Sequence, residues 1–104
     1  MFSEIQLPEL KDIIRTGETF VLDIKAEWCH PCRLMEKYII PLSNEYPSVN
    51  FYSIDYDRDT SVFDFLEIGT VPYIIFFKNG RIERRVRGYI REDTFRGILK
   101  EAFP

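Results

Sequence analysis

Both cysteines of the chain fall in the segment Trp28-Cys29-His30-Pro31-Cys32, two residues apart, with a proline directly before the second. This spacing places two thiols on adjacent corners of one helical turn, where a disulfide can close and reopen without rebuilding the fold. Upstream, Phe20-Val21-Leu22-Asp23-Ile24 reads as a buried strand; downstream, Arg33-Leu34-Met35-Glu36-Lys37-Tyr38-Ile39 reads as an amphipathic helix. The dithiol thus sits where a strand hands over to a helix, and the partial positive charge of the helix N-terminus favours thiolate over thiol. The chemistry implied is thiol–disulfide exchange. A zinc site needs four ligands, and His30 is the only histidine, so one chain cannot supply them from Cys and His. No metal or other cofactor is expected. Asp55-Tyr56-Asp57-Arg58-Asp59 has the look of a calcium loop, but Thr60 and Leu66 stand where such a loop needs glycine and glutamate. It reads as a solvated turn.

The elements that must position the dithiol follow from periodicity and punctuation. Leu7 to Ile14 suits a helix, with Pro8 in its first turn and Gly17 ending it. Thr19 to Lys25 is a strand. A helix from Pro31 heads toward Tyr46, with a kink or stop expected near Ile40 because Pro41 removes an N–H. Val49 to Asp55 alternates as a strand does, and Ser61 to Leu66 makes a short helix. Tyr73 to Lys78 reads as a strand buried on both faces. Asn79-Gly80 signals a type I′ hairpin, returning the chain antiparallel through Arg81 to Arg87. Phe95, Ile98, Leu99 and Ala102 mark a final helix from Glu92 to Phe103. Strand–helix alternation followed by a hairpin and a helix implies an α/β fold, a mixed sheet with helices on both faces.

The 104 residues suit one domain spanning 1–104, and the 45% hydrophobic and 15% aromatic content suits a globular core. A formal charge of −3 gives no reason to expect nucleic acid. Eight of the fourteen basic residues lie between Lys78 and Lys100, which reads as a charged edge strand and helix face that block unwanted strand pairing. Arg87-Gly88-Tyr89 begins an RNA-binding pattern that Ile90 ends. Two cysteines are too few for a stapled secreted scaffold. Met1-Phe2-Ser3-Glu4-Ile5 lacks a basic n-region, and no run approaches the roughly 18 apolar residues of a membrane helix. A cytoplasmic monomer that does not bind membranes is expected.

From about Leu7 to Ala102 the chain resembles the thioredoxin family. Trp28-Cys29-His30-Pro31-Cys32 is similar to that family's Trp-Cys-Gly-Pro-Cys site, with histidine replacing glycine. Asp23, six residues before Cys29, falls where thioredoxins keep a buried acid. Gly69-Thr70-Val71-Pro72 resembles their cis-proline loop, Phe76-Phe77-Lys78-Asn79-Gly80 their hairpin, and Gly88 their late flat-surface glycine. The resemblance implies the thioredoxin fold and reduction of disulfide-containing proteins, with electrons from a thioredoxin-reductase-like or glutathione-linked donor.

Cys29, as the N-terminal cysteine, is expected to expose its sulfur at the helix tip and act as nucleophile; Cys32, one turn inside, resolves the mixed disulfide. Asp23, in an apolar strand, should have a raised pKa, and the resemblance makes it the proton acceptor for Cys32. His30 is expected to donate a hydrogen bond to the Cys29 thiolate or to place charge beside it. Thioredoxins usually carry a lysine on the neighbouring strand, where this chain offers Phe51; Lys25, on the same strand face as Asp23, is placed to substitute as the acid's partner. Pro72 should be cis, leaving the Val71 backbone free to pair with a partner chain. Trp28 and Tyr73 would form an apolar rim, with Thr70, Gly88 and Tyr89 nearby. Two further readings stay open. His30 suits a disulfide oxidase or isomerase, and the segment Cys32 to Lys37, without the family's mid-helix proline, suits a specialised thiol-transfer domain. A binding module that kept the fold without turnover is the alternative outside catalysis.

Overall fold

The computed structural model describes residues 2–104. Its elements run β1 (Phe2–Glu4), α1 (Leu7–Arg15), β2 (Phe20–Lys25), α2 (His30–Ser43), β3 (Asn50–Asp55), α3 (Ser61–Leu66), β4 (Tyr73–Lys78), β5 (Arg81–Arg87) and α4 (Glu92–Ala102). The five strands form one sheet in the order β1-β3-β2-β4-β5. β3 lies parallel to both β1 and β2, whereas β4 is antiparallel to β2 and to β5. This is the mixed sheet expected.

β2 occupies the middle of the sheet, and its alternating side chains feed two separate cores. Val21 joins Met35, Ile39, Phe76 and Phe95 on the face covered by α2 and α4. Phe20, Leu22 and Ile24 join Leu10, Val62, Ile75 and Phe77 on the face covered by α1 and α3. Covered on both faces, β2 has no polar side to show, which is why its sequence is a near-continuous apolar run. Asp23 interrupts that run, and the alternation aims it toward α2.

α1 begins where Glu9 accepts the Gln6 backbone N–H at 3.2 Å and is pinned across the fold by Asp59, which accepts the Leu7 N–H at 2.7 Å. β5 is a free edge, exposed at every position except the half-buried Val86. Its arginines are the solvated edge the charge pattern implied.

Two expectations need correction. Phe2–Glu4 forms a strand, β1, that has no sequence signature: three residues are too few for an alternation to show. Its register comes from β3, where Phe2 pairs with Phe51 and Glu4 with Ser53. The helix after the dithiol neither stops at Ile40 nor reaches Tyr46; it ends at Ser43 with Pro41 inside it. Pro41 sits in the last turn, so only one backbone bond is lost, and buried Ile39 and Leu42 on either side hold the turn in the core.

The hairpin forms as its two residues require, with φ of 54° at Asn79 and 78° at Gly80. At Gly80 a Cβ would also meet the Ile14 carbonyl oxygen at 2.7 Å. Gly80→Ala is therefore expected to destabilise the protein by about 1–3 kcal/mol, from positive φ and a backbone clash together. Gly97, within α4 and with open space around its Cβ position, is the contrast. Gly97→Ala should stabilise by about 0.5–1 kcal/mol. Urea unfolding of both variants checks the pair, and equal effects would contradict the geometry.

Candidate active site

Cys29 caps the N-terminus of α2, His30 is its first residue, and Pro31 fills the first turn, where an N–H would have no helical partner. Cys29 and Cys32 are joined as a disulfide with Cα atoms 5.3 Å apart. The Cys32 backbone N–H donates to Cys29 Sγ at 3.2 Å. A donor fixed at a helix N-terminus stabilises a thiolate on that sulfur more than a thiol. The expectation of a protruding Cys29 sulfur is corrected: Cys29 is 3% exposed and Cys32 1%. Ala26 is buried against the pair, and Tyr56 and Val71 pack on it. Tertiary neighbours, which helix position alone does not reveal, cover the tip. His30 is exposed, and among the described residues its ring makes no hydrogen bond or ion pair.

The rim is assembled from three loops. Trp28 is 67% exposed, yet its Nε1–H donates to Asp57 Oδ1 at 3.1 Å. The other carboxylate oxygen of Asp57 accepts the Glu27 N–H at 3.2 Å, and the Asp57 N–H donates to Asp55 Oδ1 at 2.9 Å. The acidic stretch that resembled a calcium loop is thus the brace of the Trp28 loop. Asp57 was missed as a site residue because its partners lie about thirty positions away in sequence. Opposite, the Val71–Pro72 peptide is cis. The Gly88 N–H donates to the Pro72 carbonyl at 2.9 Å, tying the glycine to the proline loop. Among the described residues, the Val71 N–H and carbonyl take part in no backbone hydrogen bond. Half-buried Thr70, Val71 and Tyr73 line this side, and Tyr89 stands 47% exposed nearby.

Asp23, on the face of β2 that α2 covers, is 2% exposed. Its pKa is raised from 3.8 to about 7, chiefly by burial, with Glu36 also raising it and Lys25 lowering it. Asp23 Oδ2 has no hydrogen-bond partner, nor has the hydroxyl of buried Ser53. Ser53 is the residue that pairs with Asp23 across β2 and β3, while Phe51 pairs with Val21. The neighbouring-strand position assigned to Phe51 therefore belongs to Ser53, because strand register is set by packing and cannot be counted from sequence. Lys25 shares the face of Asp23 as expected but is not its direct ion-pair partner. Its Nζ lies 3.3 Å from Glu36 Oε1 and 4.0 Å from Glu4 Oε1. Among the described residues no group of three or more His, Cys, Asp or Glu side chains converges as a metal site would.

A buried acid with a raised pKa makes stability depend on pH. Below about 4 Asp23 is protonated in both folded and unfolded chains and adds no penalty. As pH rises from 3.8 toward the folded value near 7, the unfolded chain releases the proton first, and the folded state loses on the order of 4 kcal/mol at about 1.4 kcal/mol per unit. Asp23→Asn removes this loss. Urea unfolding of the oxidised proteins should show the variant gaining on the native chain between about pH 4 and 7, with the gain levelling off above the folded pKa. A constant difference across that range would mean the carboxyl titrates normally.

The Thioredoxin family model matches residues 3–101. Thioredoxin from Mycoplasmoides gallisepticum is 26% identical over 92 residues, covering 88% of this chain and 92% of that protein. Thioredoxin-1 from Saccharomyces cerevisiae is 32% identical over 80 residues, covering 77% of this chain and 78% of its own. Among solved structures, Fasciola hepatica thioredoxin superposes with a TM-score of 0.86 at 26% identity, covering 98% of this chain and 99% of its own. No helix of the described residues is long and apolar enough to cross a membrane. With a redox-capable Cys29–Cys32 pair at the α2 N-terminus and a family match across nearly its whole length, the chain belongs to the thioredoxin family and is a thiol–disulfide oxidoreductase.

Proposed function

We propose that this protein works in the reducing direction, as a single-domain cytoplasmic monomer that passes electrons to protein disulfides. A thioredoxin-reductase-like or glutathione-linked donor restores its dithiol. The observation that carries this reading is the asymmetry of the two sulfurs: Cys29 Sγ receives the Cys32 N–H at the helix tip, while Cys32 lies one turn further into α2 and is 1% exposed.

In the first step the Cys29 thiolate attacks one sulfur of the substrate disulfide. The substrate S–S bond breaks, one substrate sulfur leaves as thiolate and takes a proton from water, and a mixed disulfide forms on Cys29. In the second step Cys32 gives its proton to Asp23 and attacks Cys29 Sγ. The mixed disulfide breaks and the second substrate sulfur leaves. The substrate has gained two electrons, and the protein ends with the Cys29–Cys32 disulfide. A base whose pKa lies near 7 suits this transfer, since it is ready both to take and to release a proton at neutral pH. The substrate segment lies along Val71 and Pro72 and pairs with the free Val71 backbone groups, which accept many sequences. Trp28, braced by Asp57, and Tyr73 flank it, with Thr70 and Gly88 at the ends. Pro31 keeps the first turn of α2 rigid between the sulfurs.

Cys32→Ser leaves nothing to resolve the mixed disulfide and should accumulate Cys29-linked partners. Cys29→Ser should accumulate none. Non-reducing gels after incubation with oxidised insulin check this, and equal trapping by the two variants would reverse the assignment of roles.

His30 acts on the reduced form as charge beside Cys29 when its ring is protonated, since no hydrogen bond ties it to the sulfur. The Cys29 alkylation midpoint should lie below the free-thiol value of about 8.5, and His30→Gly should raise it. Because exposed charge pairs contribute only about 0.2–1 kcal/mol, the rise should stay below about one pH unit. A midpoint unmoved by the substitution would leave His30 as a residue that merely tolerates the turn.

A further inference from the structure

Glu36 follows Cys32 by one helical turn, so the two side chains fall on the same face of α2. Lys25 follows Asp23 by two residues, so those two share a face of β2. The two elements meet at this point. Lys25 Nζ lies 3.3 Å from Glu36 Oε1, with the side chains only 19% and 22% exposed. Glu4 on β1 approaches the same lysine at 4.0 Å and is itself held by Arg58 at 3.2 Å. The pair is therefore anchored from β1 and from the loop after β3.

The other elements packed around Asp23 add one further carboxylate, Asp55, and otherwise polar or apolar groups. β3 presents the Ser53 hydroxyl beside it and, next to Lys25, Asp55, which accepts the Asp57 N–H. β4 presents Ile74. From α2 come the two disulfide sulfurs and Tyr38, whose hydroxyl donates to the Ile90 carbonyl. α4 packs on this face through Phe95, Ile98 and Leu99. Lys25 and Glu36 thus place opposite charges on the elements that carry and cover Asp23, with Lys25 held by Glu36 and Glu4.

We propose that the Lys25–Glu36 ion pair is a positioning device for the resolving half-reaction, with its two opposed charges setting the pH at which Asp23 accepts the Cys32 proton. A lone lysine at this place would bias Asp23 toward its ionised form; a lone glutamate would bias it toward its protonated form. Joined, they leave burial as the main influence. Their directions agree with this, since Glu36 raises and Lys25 lowers the proton affinity of Asp23, both after burial. The inference rests on the reading that Asp23 takes the Cys32 proton.

The test uses the full chain and two readouts. Carbon-13 NMR of the Asp23 carboxyl in the oxidised protein gives its titration midpoint directly. Stopped-flow release of thionitrobenzoate from a Cys29 mixed disulfide gives the pH–rate limb of resolution. Glu36→Gln leaves Lys25 opposed only by the more distant Glu4 and should move the midpoint down; Lys25→Met leaves Glu36 without its cation and should move it up, each by about half a pH unit or more. The double variant should return close to the native midpoint, and Lys25→Arg should preserve it. The rate limb should move with the midpoint in every variant, and Asp23→Asn should abolish it. Midpoints that stay fixed, or that move the same way in both single variants, would overturn the proposal while leaving Asp23's role intact. A limb that persists in Asp23→Asn would overturn that role instead, whatever the midpoints do.

Discussion

A carboxyl group buried in the central strand is the constraint on which the site depends. Asp23 is buried because β2 is the third strand of five, with β3 on one side, β4 on the other and α2 across its face. At neutral pH its burial opposes folding by an amount on the order of 4 kcal/mol, from a pKa displaced from 3.8 to about 7. Net stabilities of small domains are roughly 5–15 kcal/mol, so this is a large charge on the fold. The two apolar cores on either face of the sheet must offset it.

The two sulfurs differ in where the backbone leaves them. Cys29 caps a helix and receives an N–H, which stabilises its charged form. Cys32 lies one turn further into α2 and is 1% exposed. In the proposed exchange the first opens the substrate disulfide and the second releases it, a division made by a single turn of α2.

The approach to the sulfurs is built from loops that the sheet holds together. Asp57, in the loop after β3, fixes the Trp28 loop by two hydrogen bonds, and Gly88, after β5, fixes the proline loop by one. Neither contact touches sulfur. Both fix loops that flank the Cys29–Cys32 pair, which is itself only 3% exposed at Cys29.

Local physics was legible in the residues themselves. The near-continuous apolar run from Phe20 to Ile24 reports a strand covered on both faces, and the helical spacing of Phe95, Ile98, Leu99 and Ala102 reports which side of α4 faces a core. Asn79-Gly80 reports a turn that needs positive φ at both positions. The spacing of Cys29 and Cys32 permits closure within one turn, and an acid in an apolar run predicts a raised pKa wherever that run is buried. What the tertiary structure alone decided depends on register and on contacts between distant segments. It placed Ser53 rather than Phe51 beside Asp23, turned Lys25 toward Glu36, made a strand of Phe2–Glu4 and set Asp57 behind Trp28. A strand pair can slide by two residues without changing which side chains face inward, so its hydrophobic pattern cannot distinguish the two registers. Only the packing of whole elements against one another removes that freedom, and with it the ambiguity over which charges surround the acid.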